Sequence, residues 1–268
     1  MSSTSVAFDA ARLEGRSALI GYLPAGFPTV PGAIEAIKVM VDNGCDIIEI
    51  GLPYSDPVMD GPTIQAAAQR ALEGGIRIRD VMATVEAVAS FGVPTLVMTY
   101  WNPVERYGVP RFAADLANAG GAGLITPDIT PDYAGEWIAA ADSHNLDKVF
   151  LVAPSSTEER IAMTTANCRG FVYATAVMGV TGARSTTSDL AGPLVARTRM
   201  ATDLPIGVGL GVSTSDQAAE VAAYADAVIV GSAFVRTMLD TADGDLTGVA
   251  ALTADLAEGV RRPGAGRA

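Results

Sequence analysis

The sequence predicts an α/β protein built as one (β/α)8 barrel of the TIM type. Three observations predict it. Eight short apolar runs, at 18–23, 46–51, 94–99, 123–126, 148–152, 170–175, 205–210 and 226–231, each close on Gly, Pro, Ser, Thr or carboxylate residues. Ala-rich stretches with helical spacing lie between them, so strand and helix alternate along the chain. The length of 268 residues suits a single barrel domain over 1–268, and nothing in the sequence marks a second. Barrels of this kind do their chemistry where the strands end, so the search for function narrows to the connections at one rim.

Each element has its own signal. The strand runs are nearly continuous in apolar residues, as expected when one face packs into the lumen and the other under helices. After the first strand, Ile34, Ile37 and Val41 form a helical stripe, with Thr29 and Pro31 at its start. The connection after the second strand is unusually long and opens with Leu52-Pro53-Tyr54-Ser55-Asp56-Pro57-Val58-Met59-Asp60-Gly61-Pro62. Ahead of Ile161, the stretch 155–159 reads as a capping box, and so does Ser213 with Asp216. The sixth connection, 176–189, is long and rich in Gly, Thr and Ser. Extended loops after strands two and six are therefore expected at the working rim. Residues 1–8 and the tail 261–268 read as flexible.

Composition removes several function classes. With 18 basic and 30 acidic residues the net charge is −12, which argues against nucleic acid and against an anionic membrane surface. A small anion stays open, provided backbone N–H groups hold it. The two cysteines, Cys45 and Cys168, each precede a strand and read as buried free thiols. With His144 as the only histidine, no Cys/His zinc cluster can form and no metal is expected. His144 sits ahead of strand five, at the wrong end for a Ser-His-Asp mechanism. The chain shows neither a secretory apolar stretch nor a run of about 20 apolar residues, so a cytoplasmic protein is expected.

Glu49 carries the strongest chemical signal. Side chains alternate along a strand, so Ile48 and Ile50 face the helices while Ile47, Glu49 and Gly51 face the barrel axis. Desolvation there raises a carboxyl toward neutrality, which suits a group that gives and takes a proton. Asp60 lies in a loop that Pro53, Pro57 and Pro62 restrict; alone it reads as a turn residue, and paired with Glu49 at the same rim as a second carboxylate. Gly207-Val208-Gly209-Leu210-Gly211-Val212-Ser213 and Gly231-Ser232-Ala233 end strands seven and eight. That is the usual phosphate position of such barrels, with N–H groups and a helix N-terminus as donors. Tyr173, near the end of strand six, reads equally as a core aromatic and as a substrate contact.

Asp46-Ile47-Ile48-Glu49-Ile50-Gly51-Leu52-Pro53-Tyr54-Ser55-Asp56-Pro57 and Asp60-Gly61-Pro62-Thr63-Ile64-Gln65 closely resemble the tryptophan synthase alpha subunit family. Gly179-Val180-Thr181-Gly182 and the two glycine-rich strand ends extend the resemblance over nearly the whole chain. It implies a retro-aldol lyase that cleaves indole-3-glycerol phosphate to indole and glyceraldehyde 3-phosphate with no cofactor in this chain. Carried over by position, Glu49 is the general acid/base and Asp60 holds the indole N–H. Tyr173 lines the site near Glu49, with Thr181 in the sixth loop as a further substrate contact. Gly182, Gly211, Gly231 and Ser232 hold the phosphate, and Tyr22, Ile64 and Leu210 wall the indole. Relatives usually carry Phe at position 210 and often at 22, so Leu210 removes an aromatic wall. The resemblance also implies an α2β2 complex with a pyridoxal-phosphate-dependent beta subunit, contacted through the loop of Pro53, Asp56 and Pro57. A free-standing lyase would share all these residues, whereas the presence of both carboxylates argues against a non-catalytic ligand-binding subunit that only activates a partner. A sugar-phosphate isomerase or thiamine-phosphate synthase explains the phosphate signal but not Glu49 and Asp60 together.

Overall fold

The apolar runs form one parallel sheet of nine strand segments: β1 Ala18–Pro24, β2 Ile47–Gly51, β3 Thr95–Met98, β4 Gly123–Ile125, β5 Asp147–Val149, β6 Leu151–Val152, β7 Val172–Thr175, β8 Ile206–Gly209 and β9 Ala227–Val230. The structure, a computed structural model, describes residues 4–175, 190–242 and 244–262. The strand order is β5-β4-β3-β2-β1-β9-β8-β7-β6, so the two sheet edges are consecutive pieces of one stretch of chain. They are the single strand expected at 148–152, interrupted at Phe150. β5 pairs with β4 and β6 with β7, while the Phe150 carbonyl accepts the Tyr173 N–H at 3.2 Å. The chain itself bridges the seam, and the ring is a (β/α)8 barrel.

Strand alternation divides the apolar residues into two cores. Leu19, Ile48, Ile50, Val97, Leu124, Val172 and Val208 pack outward under the helices. Ile20, Ile47, Leu96, Ile125, Val149, Phe171 and Ile229 fill the lumen. The outer core takes the inward stripe of each helix. Helix Val30–Asp42 buries Ala33, Ala36, Ile37 and Met40, and its Thr29 cap accepts the Gly32 N–H. The expected caps further on lie slightly elsewhere. Thr157 caps helix Glu158–Asn167, with Arg160 rather than an acid at its third position. Thr214, whose backbone is extended (φ −137, ψ 158), caps helix Ser215–Ala222, and Gln217 reaches back to the Ser213 N–H at 2.8 Å.

The N-terminus departs from expectation. From Thr4 onward it is ordered, and Ser5–Leu13 is a helix laid against the lumen core. Thr4 donates through its N–H and hydroxyl to the buried Asp147 carboxylate, at 2.9 and 2.7 Å. Phe8 packs on Phe171 with ring centroids 5.5 Å apart. At the other end helix Thr247–Arg261 runs into the expected tail, and Arg262 pairs with Asp216 and Glu258. Cys45 is buried, whereas Cys168 and His144 are half-buried. Between β2 and β3 lie two helices, Pro62–Glu73 and Ile78–Ala89. Among the described residues no helix is long and apolar enough to cross a membrane. The sixth connection lies outside them.

Candidate active site

Glu49 sits on β2 in register with Tyr22 of β1 and Leu96 of β3. It shares the inward parity of Ile47, so its carboxyl points up the lumen above an apolar floor. Only 1% of the residue is exposed, and neither carboxyl oxygen has a hydrogen-bond partner among the described residues. A buried charge without a partner is costly, so burial pushes the group up from its ordinary value of 4.5 to about 8. At neutral pH it holds its proton, and little energy separates its two protonation states. Buried orphans are rare enough to require a functional explanation.

Asp60 reaches the same space from the loop after β2. The Tyr100 hydroxyl donates to its Oδ1 at 2.9 Å, and the Gln65 side-chain amide donates to its backbone carbonyl at 2.7 Å. Burial raises the Asp60 carboxyl above the usual range, and the Tyr100 donation works against that rise. One residue on, Gly61 caps helix Pro62–Glu73, which brings the buried Ile64 to the cleft wall.

Two tyrosines complete the wall beside Glu49. A Cβ added at Gly51 would land on the Tyr22 hydroxyl, and one added at Gly209 on the Tyr173 hydroxyl. Both glycines are thus sites of close approach that admit a phenol ring. Burial, then the nearby carboxylates, push both phenols up and keep them protonated: Asp60 and Glu49 act on Tyr22, Glu49 on Tyr173.

These groups line one cleft, open at the C-terminal ends of the strands. Leu210, Gly211, Gly231 and Ser232, which follow β8 and β9, also line it. Ser232 is the first residue of helix Ser232–Asp240, whose N-terminal end therefore opens at the cleft. No lysine, arginine or histidine lines it among the described residues.

The structure thus gathers Glu49, Asp60, Tyr22, Ile64, Tyr173, Leu210, Gly211, Gly231 and Ser232 around one space. Thr181 and Gly182 lie outside the described residues. Pro53, Asp56 and Pro57 are not in the cleft. Asp56 is exposed on the loop, and Pro53 lines a separate groove with Ile76, Arg77 and Pro103. Sequence reasoning missed Met98, Tyr100 and Ile229, which also line the cleft. Strand parity was the available signal: Leu96, Met98 and Tyr100 alternate onto one face of β3 and its extension, as Ala227 and Ile229 do on β9.

A TIM barrel with a desolvated, proton-bearing carboxyl and a second carboxyl at its C-terminal rim defines an acid/base enzyme acting on a small molecule. The family model for "Tryptophan synthase alpha chain" matches residues 8–261. The tryptophan synthase alpha chain of Salinispora arenicola is 60% identical over 265 residues, covering 98% of this chain and 99% of that one. That of Acidothermus cellulolyticus is 59% identical over 262 residues, covering 98% of each. Among solved structures, Mycobacterium tuberculosis tryptophan synthase superposes with a TM-score of 0.92 at 55% identity, over 97% of this chain and 99% of that one. A Legionella pneumophila alpha subunit does so with a TM-score of 0.88 at 28% identity, over 97% and 98%. The chain belongs to the tryptophan synthase alpha chain family.

Proposed function

We propose that this chain is a carbon–carbon lyase of L-tryptophan biosynthesis that cleaves indole-3-glycerol phosphate to indole and D-glyceraldehyde 3-phosphate. The observation that carries the reading is Glu49, a buried carboxyl at a strand end, facing the cleft with neither oxygen hydrogen-bonded among the described residues. Glu49 gives its proton to C3 of the indole ring, forming a C–H bond and leaving positive charge centred on the ring nitrogen. Asp60 accepts the ring N–H and stabilises that charge. The Glu49 carboxylate then takes the proton of the glycerol hydroxyl next to the ring. The hydroxyl oxygen becomes the aldehyde oxygen, the C–C bond breaks, and its electron pair returns to the ring. One proton has moved from oxygen to carbon, and Glu49 ends as it began.

Tyr22, Ile64 and Leu210 wall the indole, and Tyr173 flanks Glu49. Gly211, Gly231 and Ser232 hold the phosphate at the N-terminus of helix Ser232–Asp240, with Thr181 and Gly182 completing that side. An anion held by N–H groups needs no basic side chain, in keeping with the acidic composition. In this reading the chain needs no cofactor of its own, and pyridoxal phosphate is assigned to a beta subunit, the partner in a cytoplasmic α2β2 assembly. The loop of Pro53, Asp56 and Pro57 is the contact element. The test is release of indole from indole-3-glycerol phosphate by the purified chain, with and without a beta subunit. Turnover in either arm supports the reading, and none in both overturns it.

A further inference from the structure

Asp60 is on a loop, yet its task in the reading above requires a fixed carboxylate. What fixes it comes from another strand. Tyr100 follows β3 on the rigid rim, is 5% exposed, and touches the 52–61 loop at three places. Its hydroxyl accepts the Met59 N–H at 3.0 Å and donates to Asp60 Oδ1 at 2.9 Å. Its ring lies against that of Tyr54, with centroids 5.5 Å apart. A phenol has one proton to donate. With Met59 donating to the oxygen, that proton is aimed at Asp60. Gln65, one helical turn further on, grips the backbone carbonyl of the same residue.

We propose that Tyr100 is the positioning residue of Asp60, its hydroxyl aiming the carboxylate into the cleft and favouring the ionised form. This rests on the role given to Asp60 above. Among the described residues, the other titratable groups of the cleft are Tyr22 on β1, Glu49 on β2 and Tyr173 on β7, with Asp56 exposed on the loop itself. None of these is a cation, and the Tyr100 donation counters the burial of Asp60. A donor to a carboxylate favours its charged form, and losing that donor favours protonation.

The test is Tyr100→Phe in the full-length chain, which keeps the ring against Tyr54 and removes only the hydroxyl. We expect kcat at neutral pH to fall about tenfold. The acid limb of kcat/KM moves about one unit to higher pH, so raising the pH restores part of the rate. Affinity for glycerol 3-phosphate, a probe of the phosphate end alone, stays unchanged. A merely structural role would lower the rate equally at every pH, and that result overturns the proposal. In the Asp60→Asn background the hydroxyl has no carboxylate to ionise, so Tyr100→Phe produces no shift of the limb. Severe loss in Asp60→Asn with a wild-type profile in Tyr100→Phe overturns this proposal alone. Normal turnover by Asp60→Asn overturns the role of Asp60 and this proposal with it.

Discussion

Replacing Glu49 with Gln should abolish turnover and stabilise the protein, with a gain that depends on pH in a specified way. Below pH 4.5 the carboxyl is protonated in the folded and unfolded chains alike. Between pH 4.5 and about 8 the unfolded chain ionises at this position while the folded one holds its proton. The native state then binds more protons, so its stability falls as pH rises through that window. Each pH unit there is worth about 1.4 kcal/mol. An amide does not titrate, so any packing cost of Gln is a constant offset. The advantage of the variant over the parent, relative to acid conditions, should therefore reach about 3 kcal/mol at pH 7 and level off near 5 kcal/mol above pH 8. Urea unfolding of both proteins at pH 5, 6, 7 and 8 measures the gap directly. Indole release measures turnover, which should fall beyond the roughly 10²–10⁴-fold usual for one acid–base group, because both proton transfers are lost. A stability gap that stays flat from pH 5 to 8 would refute the reasoning, since Glu49 would then ionise as an ordinary carboxyl. Near-normal turnover would refute its role.

Asp60→Asn should slow indole release by at least about 10²-fold while leaving calorimetric affinity for glycerol 3-phosphate nearly intact; a matching loss of affinity would move Asp60 to the phosphate end. Gly211 has φ +82, a conformation that a β-branched residue adopts only with strain. Gly211→Val should weaken glycerol 3-phosphate binding about tenfold, equivalent to about 1.4 kcal/mol, and unchanged affinity would relocate that contact. Phe8→Ala should lower the urea midpoint by the equivalent of about 3–5 kcal/mol, because Phe8 fills the lumen against Phe171. The kcat of the residual folded protein should change little, which separates the lumen floor from the chemistry.

The parts of the molecule readable in advance were those encoded by local periodicity. Each apolar run became a strand, and the inward parity of Ile47 and Glu49 followed from alternation alone. What could not be read depends on partners distant in sequence. Tyr100 and Asp60 are 40 residues apart, and neither carries a local mark of the other. The N-terminal helix is anchored by Thr4 to Asp147 and by Phe8 to Phe171, so a polar, Ala-mixed stretch gave no sign of being fastened. The break at Phe150 has the same origin, since its two flanking segments pair with different neighbours. Gly209 was legible as a glycine at a rim, but the close approach of the Tyr173 ring to it was not.

Ring closure joins the beginning of the chain to its end, since Ala18 to Gly21 pair with Ala227 to Val230. A ribosome-bound intermediate therefore carries both acids long before it carries Gly231 and Ser232. Until the final strand is made and inserted, the first has an open edge and the cleft has no back wall.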